Sequence, residues 1–326
     1  MKKLLTVGKE LTGSRPNRLA CRALMQRSYA LGRLLVQQST YPLGRPTVVI
    51  GAIASGTPKP IHAAVQCGFA TAGVDTVLCG LLPIPAIAYL TRAKKHQAFV
   101  VVNGAWHQQW NGYVGFFSPE GTHLCQEASM PDGQPNTHSA RVQRICETGT
   151  SSQLSQPGTS YVEFCKSALK QQLNLHGLRI VIDAAHSAAR DVAPKVLYQL
   201  GAQVIAVGLT ERGLNEAQAA GATVSQQLAW AVRSLRADVG ISINREGNGL
   251  LMADSTGVIY YESALRPLTA MQNTVSLTDD AIIRALQVLA LMQAARSGLQ
   301  HVMSHLPVPF QADQRTFLLS SETEEL

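Results

Sequence analysis

The sequence has no apolar run long enough to cross a membrane, and it has few charged and few aromatic residues. Charged residues make up 15% and aromatic residues 6% of its 326 residues. Glycine, proline or charge interrupts every apolar stretch well short of the roughly 18 residues that a membrane helix needs. The first ten residues contain too brief an apolar run for a signal peptide. We therefore expect a globular, cytoplasmic protein with no membrane association.

No two cysteines form a CxxC pair. The absence of such pairs argues against a zinc site or a disulfide framework, and it favours reduced, mostly buried thiols. The six cysteines are Cys21, Cys67, Cys79, Cys125, Cys146 and Cys165.

Acidic residues are nearly missing from the first part of the chain. Residues 1–45 hold nine lysines and arginines against Glu10 alone, so their net charge is +8. The net charge of the whole chain is +7, so the remaining residues together carry −1. Such a segment suits an acidic protein, a phosphorylated ligand or nucleic acid, although a solvated helix surface is the simpler and favoured explanation. No nucleic-acid motif accompanies the charge, so nucleic acid is not an expected partner, whereas an acidic partner remains possible.

The apolar pattern alternates between helical and strand periods in two successive blocks. An amphipathic helix over 17–38 precedes a β-α-β-α-β alternation that ends near residue 104. The polar stretch over 124–158 predicts a connection, and a second alternation then runs to about residue 261. These patterns predict an α/β fold with two layered domains over 1–155 and 156–265, followed by a helical segment and polar tail over 266–326.

Several phrases in order resemble a known family. "NGYVGFFSPEGTHL", "LRIVIDAAHSAARDVAPKVLYQLGAQVIAVG" and "ADVGISINREGNGLLMAD" are similar to the first two domains of bacterial phosphoglucosamine mutases, in the α-D-phosphohexomutase superfamily. The resemblance covers about residues 47–261, and "DDAIIRALQVLALMQAARSGLQHV" resembles the last helices of the family's third domain. It implies two phosphohexomutase-type domains, a helical remnant of a third after an internal deletion, and no fourth domain.

The family's reaction hands a phosphoryl group to and from a serine in a loop that reads S-A-S-H-N-P. The corresponding stretch here is "NGAWHQQWNG" and contains no serine. The resemblance places Trp106 or Gly104 at the serine position, beside Ala105 and His107, and neither residue can carry a phosphoryl group. Trp106 and Trp110 either fill the former cleft or form a contact surface.

The family's metal loop reads D-G-D-G-D-R, and its three carboxylates bind Mg²⁺. The resemblance places Asn244, Glu246 and Asn248 at the carboxylate positions, with Arg245 between the first two. Two aspartates are thus replaced by neutral amides, and Mg²⁺ depends on anionic oxygen ligands. We expect no metal and no cofactor at this loop, which then serves as an ordinary turn.

These changes predict a phosphoglucosamine mutase-like protein that is catalytically inactive and acts as a binding or regulatory subunit. The alternative is a phosphohexomutase-type isomerase, or a phosphosugar-binding protein, that needs another chain for activity. Whether the chain is an enzyme therefore stays open at this point. The expected partners are a second copy of the chain, a mutase-like subunit, or an acidic protein that binds the basic segment 1–45.

Overall fold

The computed structural model describes most of the chain, and it divides the chain into two compact units. The described residues are 18–38, 45–54, 59–103, 114–124, 148–169, 173–184, 187–208, 224–270 and 280–304. The first unit ends at Pro157 and the second begins at Gly158. Among the described residues, no helix is both long enough and apolar enough to span a membrane.

The described residues of the first unit form three helices and five strands. In chain order they are α1 (Arg18–Gln38), β1 (Thr47–Ala52), α2 (Lys59–Thr71), β2 (Asp75–Leu81), α3 (Ile84–Ala93), β3 (Ala98–Val102), β4 (Val114–Phe117) and β5 (Ser151–Gln153). The strands form one sheet in the order β4-β3-β1-β2-β5. Only the pairing of β3 with β4 is antiparallel. This mostly parallel sheet confirms the predicted α/β fold class for the first unit.

Helices cover both faces of this first sheet because its central strands are apolar on both sides. Val48, Ile50 and Val100 are buried in a cluster with residues of α1 and α2. On the opposite face, a Cβ atom added to Gly51 would lie within contact distance of Ile87 in α3. A strand buried on both faces reads as a continuous apolar run, as "TVVIGA" does in this sequence.

The polar stretch before the second unit contributes one strand that its composition did not predict. β5 pairs in parallel with β2 and completes the edge of the first sheet. The carboxylate of Asp75 accepts hydrogen bonds from the backbone N–H of Thr150 at 2.7 Å and from its hydroxyl at 2.9 Å. Three exposed polar residues thus form an edge strand because backbone pairing, rather than burial, holds them.

The described residues of the second unit form six helices and five strands. In chain order they are α4 (Pro157–Ser167), β6 (Arg179–Asp183), α5 (Val192–Gln199), β7 (Gln203–Val207), α6 (Val224–Ser234), β8 (Val239–Ile243), β9 (Leu250–Asp254), β10 (Ile259–Tyr261), α7 (Glu262–Ala270), α8 (Ala281–Ala295) and α9 (Leu299–Ser304). The sheet order is β10-β9-β8-β6-β7. β6 pairs in parallel with β7 and β8, whereas β8, β9 and β10 form an antiparallel meander.

In the predicted carboxyl-terminal helical segment, the described residues 280–304 form the helices α8 and α9. α8 ends at Ala295, and Arg296, which caps its carboxyl end, adopts a left-handed conformation with φ of 49°. α8 packs against β8 and β9 and belongs to the second compact unit. Its first nine residues are all buried, so this helix forms part of the core of the second unit.

Candidate functional site

The loop that the sequence singles out as a former metal site joins β8 and β9. Its residues, 244–249, connect two antiparallel strands and are called the hairpin loop here. β8 also pairs in parallel with β6, so the loop lies at the carboxyl end of a central strand. This is the position at which α/β sheets usually bind ligands.

Hydrogen bonds join the three side chains at the predicted metal positions to one another. Asn244 Oδ1 accepts hydrogen bonds from the N–H groups of Gly247 at 2.9 Å and Asn248 at 3.0 Å. Asn244 Nδ2 donates to Asn248 Oδ1 at 2.7 Å. Asn248 Nδ2 in turn donates to Glu246 Oε2 at 3.2 Å. Because two of these bonds start from an amide N–H₂ group, aspartate at 244 or 248 could not make them.

The two glycines of the hairpin loop each meet a local geometric requirement. Gly247 has a φ of 80°, in the left-handed region that glycine adopts at little cost. A Cβ atom on Gly249 would lie 2.7 Å from Asn244 Nδ2, so a larger residue would push the Asn244 amide out of place. The glycines thus allow the tight turn that brings Asn244 and Asn248 together.

Backbone carbonyls of the hairpin loop accept hydrogen bonds from two neighbouring segments of the second unit. The Arg245 carbonyl accepts from Ala188 N–H at 3.0 Å, and the Gly247 carbonyl accepts from Ala281 N–H at 3.1 Å. The Asn248 carbonyl accepts from the guanidinium of Arg284. These contacts fix the loop against the segment before α5 and against the first turn of α8.

Arg284 brings a buried positive charge to the hairpin loop. Its side chain is only 7% exposed, and its Nη1 atom donates to Glu262 Oε1 at 2.6 Å. The same oxygen accepts from Arg266 Nη2 at 2.8 Å. A buried arginine is stable only when it is paired and hydrogen-bonded, and Glu262 with the Asn248 carbonyl provides both conditions.

Asp280 anchors α8 next to the hairpin loop. Its Oδ1 atom caps the helix by accepting from Ile282 N–H at 3.0 Å and Ile283 N–H at 3.2 Å. Its Oδ2 atom accepts from the Tyr161 hydroxyl at 2.6 Å. Burial raises the pKa of Asp280, and the hydrogen bonds from Tyr161 and the two amides oppose that rise. Burial, followed by the charge of Asp280, raises the pKa of Tyr161.

The residues of the hairpin loop do not fit a magnesium ion. Mg²⁺ requires oxygen ligands with negative charge and dehydrates reluctantly. Glu246 supplies the one carboxylate, and both asparagine carbonyl oxygens already accept hydrogen bonds. Arg284 adds positive charge to the same loop. Across the described part of the chain, no group of three or more His, Cys, Asp or Glu side chains is placed to hold a metal.

The predicted remnant of the phosphoserine loop lies outside the described residues. Gly104, Ala105, Trp106 and His107 all fall there, as does Trp110. Asn103, which follows β3 directly, is described; it is buried, and its Oδ1 atom has no hydrogen-bond partner among the described residues. The two predicted site loops fall in different units, 104–107 in the first and 244–249 in the second.

Sequence reasoning missed the residues that hold the hairpin loop in place. Arg284 contacts Asn248 of the loop across 36 residues of sequence. Glu262 acts through Arg284, with which it pairs across 22 residues. No local pattern marks such contacts. Asp280 had a usable signal, because an aspartate directly before an apolar helical run is a common amino-terminal cap.

Comparisons with known proteins agree on one family. The family described as "Phosphoglucomutase/phosphomannomutase, alpha/beta/alpha domain I" matches residues 13–129. A phosphoglucosamine mutase of Azoarcus sp. strain BH72 is 38% identical over 254 residues, which are 76% of this chain and 53% of that protein. The phosphoglucosamine mutase of Thiobacillus denitrificans is 36% identical over 255 residues, again 76% of this chain and 53% of that protein. The chain thus spans about half the length of these curated relatives.

A solved structure extends the similarity in fold. A phosphoglucomutase/phosphomannomutase family protein from Burkholderia thailandensis matches 91% of this chain and 78% of its own, with a TM-score of 0.64 and 15% identity. At this identity, the match supports the arrangement of helices and strands and carries no information on activity.

We predict that Asn244→Asp destabilises the second unit. Aspartate cannot donate to Asn248 Oδ1, and it places a second carboxylate in a loop that already contains Glu246. This hydrogen bond is lost, and a carboxylate oxygen of the new aspartate then faces Asn248 Oδ1. The free energy of unfolding should therefore fall by about 1–3 kcal/mol. Urea unfolding followed by circular dichroism measures the change.

Asn174→Asp is the matched control for that substitution. Asn174 is exposed, and its Oδ1 atom accepts from His176 N–H at 3.0 Å, which aspartate also does. The control should unfold like the wild type. Equal stability of Asn244→Asp and the wild type would contradict the donor role of the Asn244 amide.

We predict that Asp280 makes the second unit relatively more stable in acid than at neutral pH. Because its pKa is raised in the folded state, the folded protein holds the Asp280 proton over a pH range in which the unfolded chain has lost it. The contribution is complete below the unfolded pKa and is lost as pH rises through the folded value. The unfolding free energy of the wild type minus that of Asp280→Asn should therefore decrease from about pH 4 upward. A difference that increases over this range would contradict the assignment.

Proposed function

We propose that this chain, which belongs to the phosphohexomutase family as a homologue of the bacterial phosphoglucosamine mutases, has lost the isomerase reaction. We propose further that it acts by binding another protein. The observation that carries the proposal is the hairpin loop. Asn244, Glu246 and Asn248 form an internal hydrogen-bonded chain where the family resemblance implies three metal-binding carboxylates. A loop whose polar atoms bond one another has little left to offer a metal ion or a phosphoryl group.

The neighbours of the hairpin loop support the same proposal. Phosphoryl transfer needs positive charge that faces the transferred group and can be shared with it. The guanidinium of Arg284 is instead buried between the Asn248 carbonyl and Glu262. The cation of this loop is thus used to stabilise the fold.

The sequence of the other predicted loop supports the loss of the covalent step. Residues 104–113 contain no serine, and neither tryptophan nor glycine can accept a phosphoryl group. In a covalent mechanism, removal of the nucleophile alone costs on the order of 10⁶ in rate. Two independent losses, one at each loop, leave no step of the family's reaction intact.

A binding role explains why the cores persist without the catalytic residues. Both sheets keep buried, apolar central strands, so the chain maintains two folded units. A folded surface without chemistry is useful chiefly for recognition. We propose a protein as the partner: a second copy of this chain, a mutase-like subunit or an acidic protein. We also propose a cytoplasmic location, which suits the four described cysteines, all of them free thiols.

We predict that Mg²⁺ does not stabilise the wild-type chain. A ligand at about 100 times its dissociation constant would add roughly 2.7 kcal/mol to the unfolding free energy, which a melting curve detects. The thermal midpoint should be the same in millimolar Mg²⁺ and in EDTA. An upward shift in Mg²⁺ that disappears in Glu246→Gln would contradict the proposal. The double substitution Asn244→Asp with Asn248→Asp, which restores three carboxylates at alternate positions, serves as the positive comparison.

We predict that the purified chain does not interconvert glucosamine 6-phosphate and glucosamine 1-phosphate. A coupled assay with Mg²⁺ and a sugar bisphosphate primer measures the reaction, with an active bacterial phosphoglucosamine mutase as the control. Trp106→Ser should remain inactive, because restoring a hydroxyl does not restore the metal site. Turnover of about 1 per second or more by the wild type would overturn the loss of function.

A further inference from the structure

We infer that the outer side of α1 is a docking surface for an acidic, amphipathic segment of a different protein. This inference rests on the proposed binding role and names the partner's chemistry. The surface, called the α1 face here, comprises Arg22, Met25, Gln26, Tyr29 and Arg33.

The α1 face is one continuous side of the helix. Its residues recur at intervals of three and four, and they lie away from the buried side that contains Leu24, Ser28 and Gly32. Met25 is 38% and Tyr29 is 42% exposed, so a sulfur-containing chain and an aromatic ring are both open to solvent. Methionine and tyrosine are enriched where proteins recognise one another.

The buried side of α1 holds the helix firmly. A Cβ atom on Gly68 of α2 would collide with the Met25 carbonyl and with the Ser28 side chain. A Cβ atom on Gly32 would likewise lie 2.6 Å from Ala72. The two helices therefore approach closely, which fixes the α1 face as a rigid surface.

The positive charge of the α1 face is not balanced by acidic residues in α1 or in the neighbouring helix α2. Neither α1 nor α2 contains an aspartate or a glutamate, and none occurs anywhere over residues 11–74. In the described part of the chain, Arg22 and Arg33 take part in none of the ion pairs. They are eleven residues apart, or about 16 Å along the helix, with Met25 and Tyr29 between them. This arrangement suits a segment with apolar residues in its middle and carboxylates toward both ends.

A second copy of the chain does not fit this surface. In a two-fold symmetric pair of α1 helices, Arg22 of each copy would face Arg33 of the other. With no carboxylate in α1 or α2, these like charges would repel each other at close range. The α1 face thus favours a partner of opposite charge.

A nucleic acid fits the surface less well than a protein. Binding to a nucleic acid gains its strength from many phosphate contacts along the backbone. The α1 face offers two arginines that lack ion pairs in the described residues, separated by exposed apolar groups. Apolar side chains between charges gain more from packing against another side chain than from facing a phosphate.

The test uses the full chain and a defined acidic probe, a fluorescent copolymer of glutamate and tyrosine. Polyglutamate and a DNA duplex are the comparison probes, and fluorescence anisotropy is measured at low and at physiological salt. The charge variant is Arg22→Glu with Arg33→Glu, and the apolar variant is Met25→Ser with Tyr29→Ser. The matched control, Lys195→Glu with Arg236→Glu, makes the same charge change at exposed positions of the second unit.

The wild type and the matched control should bind the copolymer alike, and more tightly than polyglutamate. The charge variant should bind it about ten-fold more weakly, because four units of charge change at the surface. The apolar variant should lose the preference for the copolymer over polyglutamate. Equal binding by the charge variant, or tighter binding of DNA than of the copolymer, would overturn the inference.

The outcome is separate from the test of the proposed function. A chain with mutase turnover that still binds the acidic copolymer through Arg22 and Arg33 would contradict the loss of catalysis and leave the surface in place. A chain without turnover that binds no acidic probe would contradict the docking surface and leave the loss of catalysis in place. Circular dichroism of each variant, compared with the wild type, establishes that a loss of binding arises at the surface.

Discussion

The hairpin loop keeps its shape because the amide of Asn244 both accepts and donates hydrogen bonds. Its oxygen satisfies two backbone N–H groups of the turn, and its nitrogen reaches the side chain of Asn248. An aspartate could provide only the accepting half. This one requirement for a neutral donor connects the local sequence, the turn geometry and the poor fit of the loop to Mg²⁺.

The first turn of α8 depends on that loop. Ala281 donates to the Gly247 carbonyl, and Arg284 donates to the Asn248 carbonyl while it pairs with Glu262. A divalent cation in the loop would face this guanidinium at close range, and the two positive charges would repel each other. The contacts that tie α8 to the second sheet are therefore the same contacts that make the loop unsuitable for Mg²⁺.

The charged residues of the chain are thus paired within the fold in one place and placed on its surface in another. In the second unit, Arg284, Glu262 and Asp280 are used inside the protein, where each has partners that offset the cost of burial. On α1, Arg22 and Arg33 are placed on the outer side, beside Met25 and Tyr29. Charge with partners inside the fold stabilises it, whereas uncompensated charge on a rigid surface is suited to guiding the approach of an acidic molecule.

The sequence by itself determined the two α/β units and the chemical character of the hairpin loop. Apolar periodicity predicted most of the helices and strands, because a buried strand or an amphipathic helix leaves its mark within a few neighbouring residues. The two amides, Asn244 and Asn248, at the positions where the family resemblance implies aspartates were equally readable. The edge strand β5 was not, since its polar residues are held by backbone pairing with β2. Only the tertiary structure showed that Arg284, Glu262 and Asp280 support the loop. Their contacts join residues that are far apart in the sequence, up to 119 positions between Tyr161 and Asp280. No local sequence pattern records such contacts.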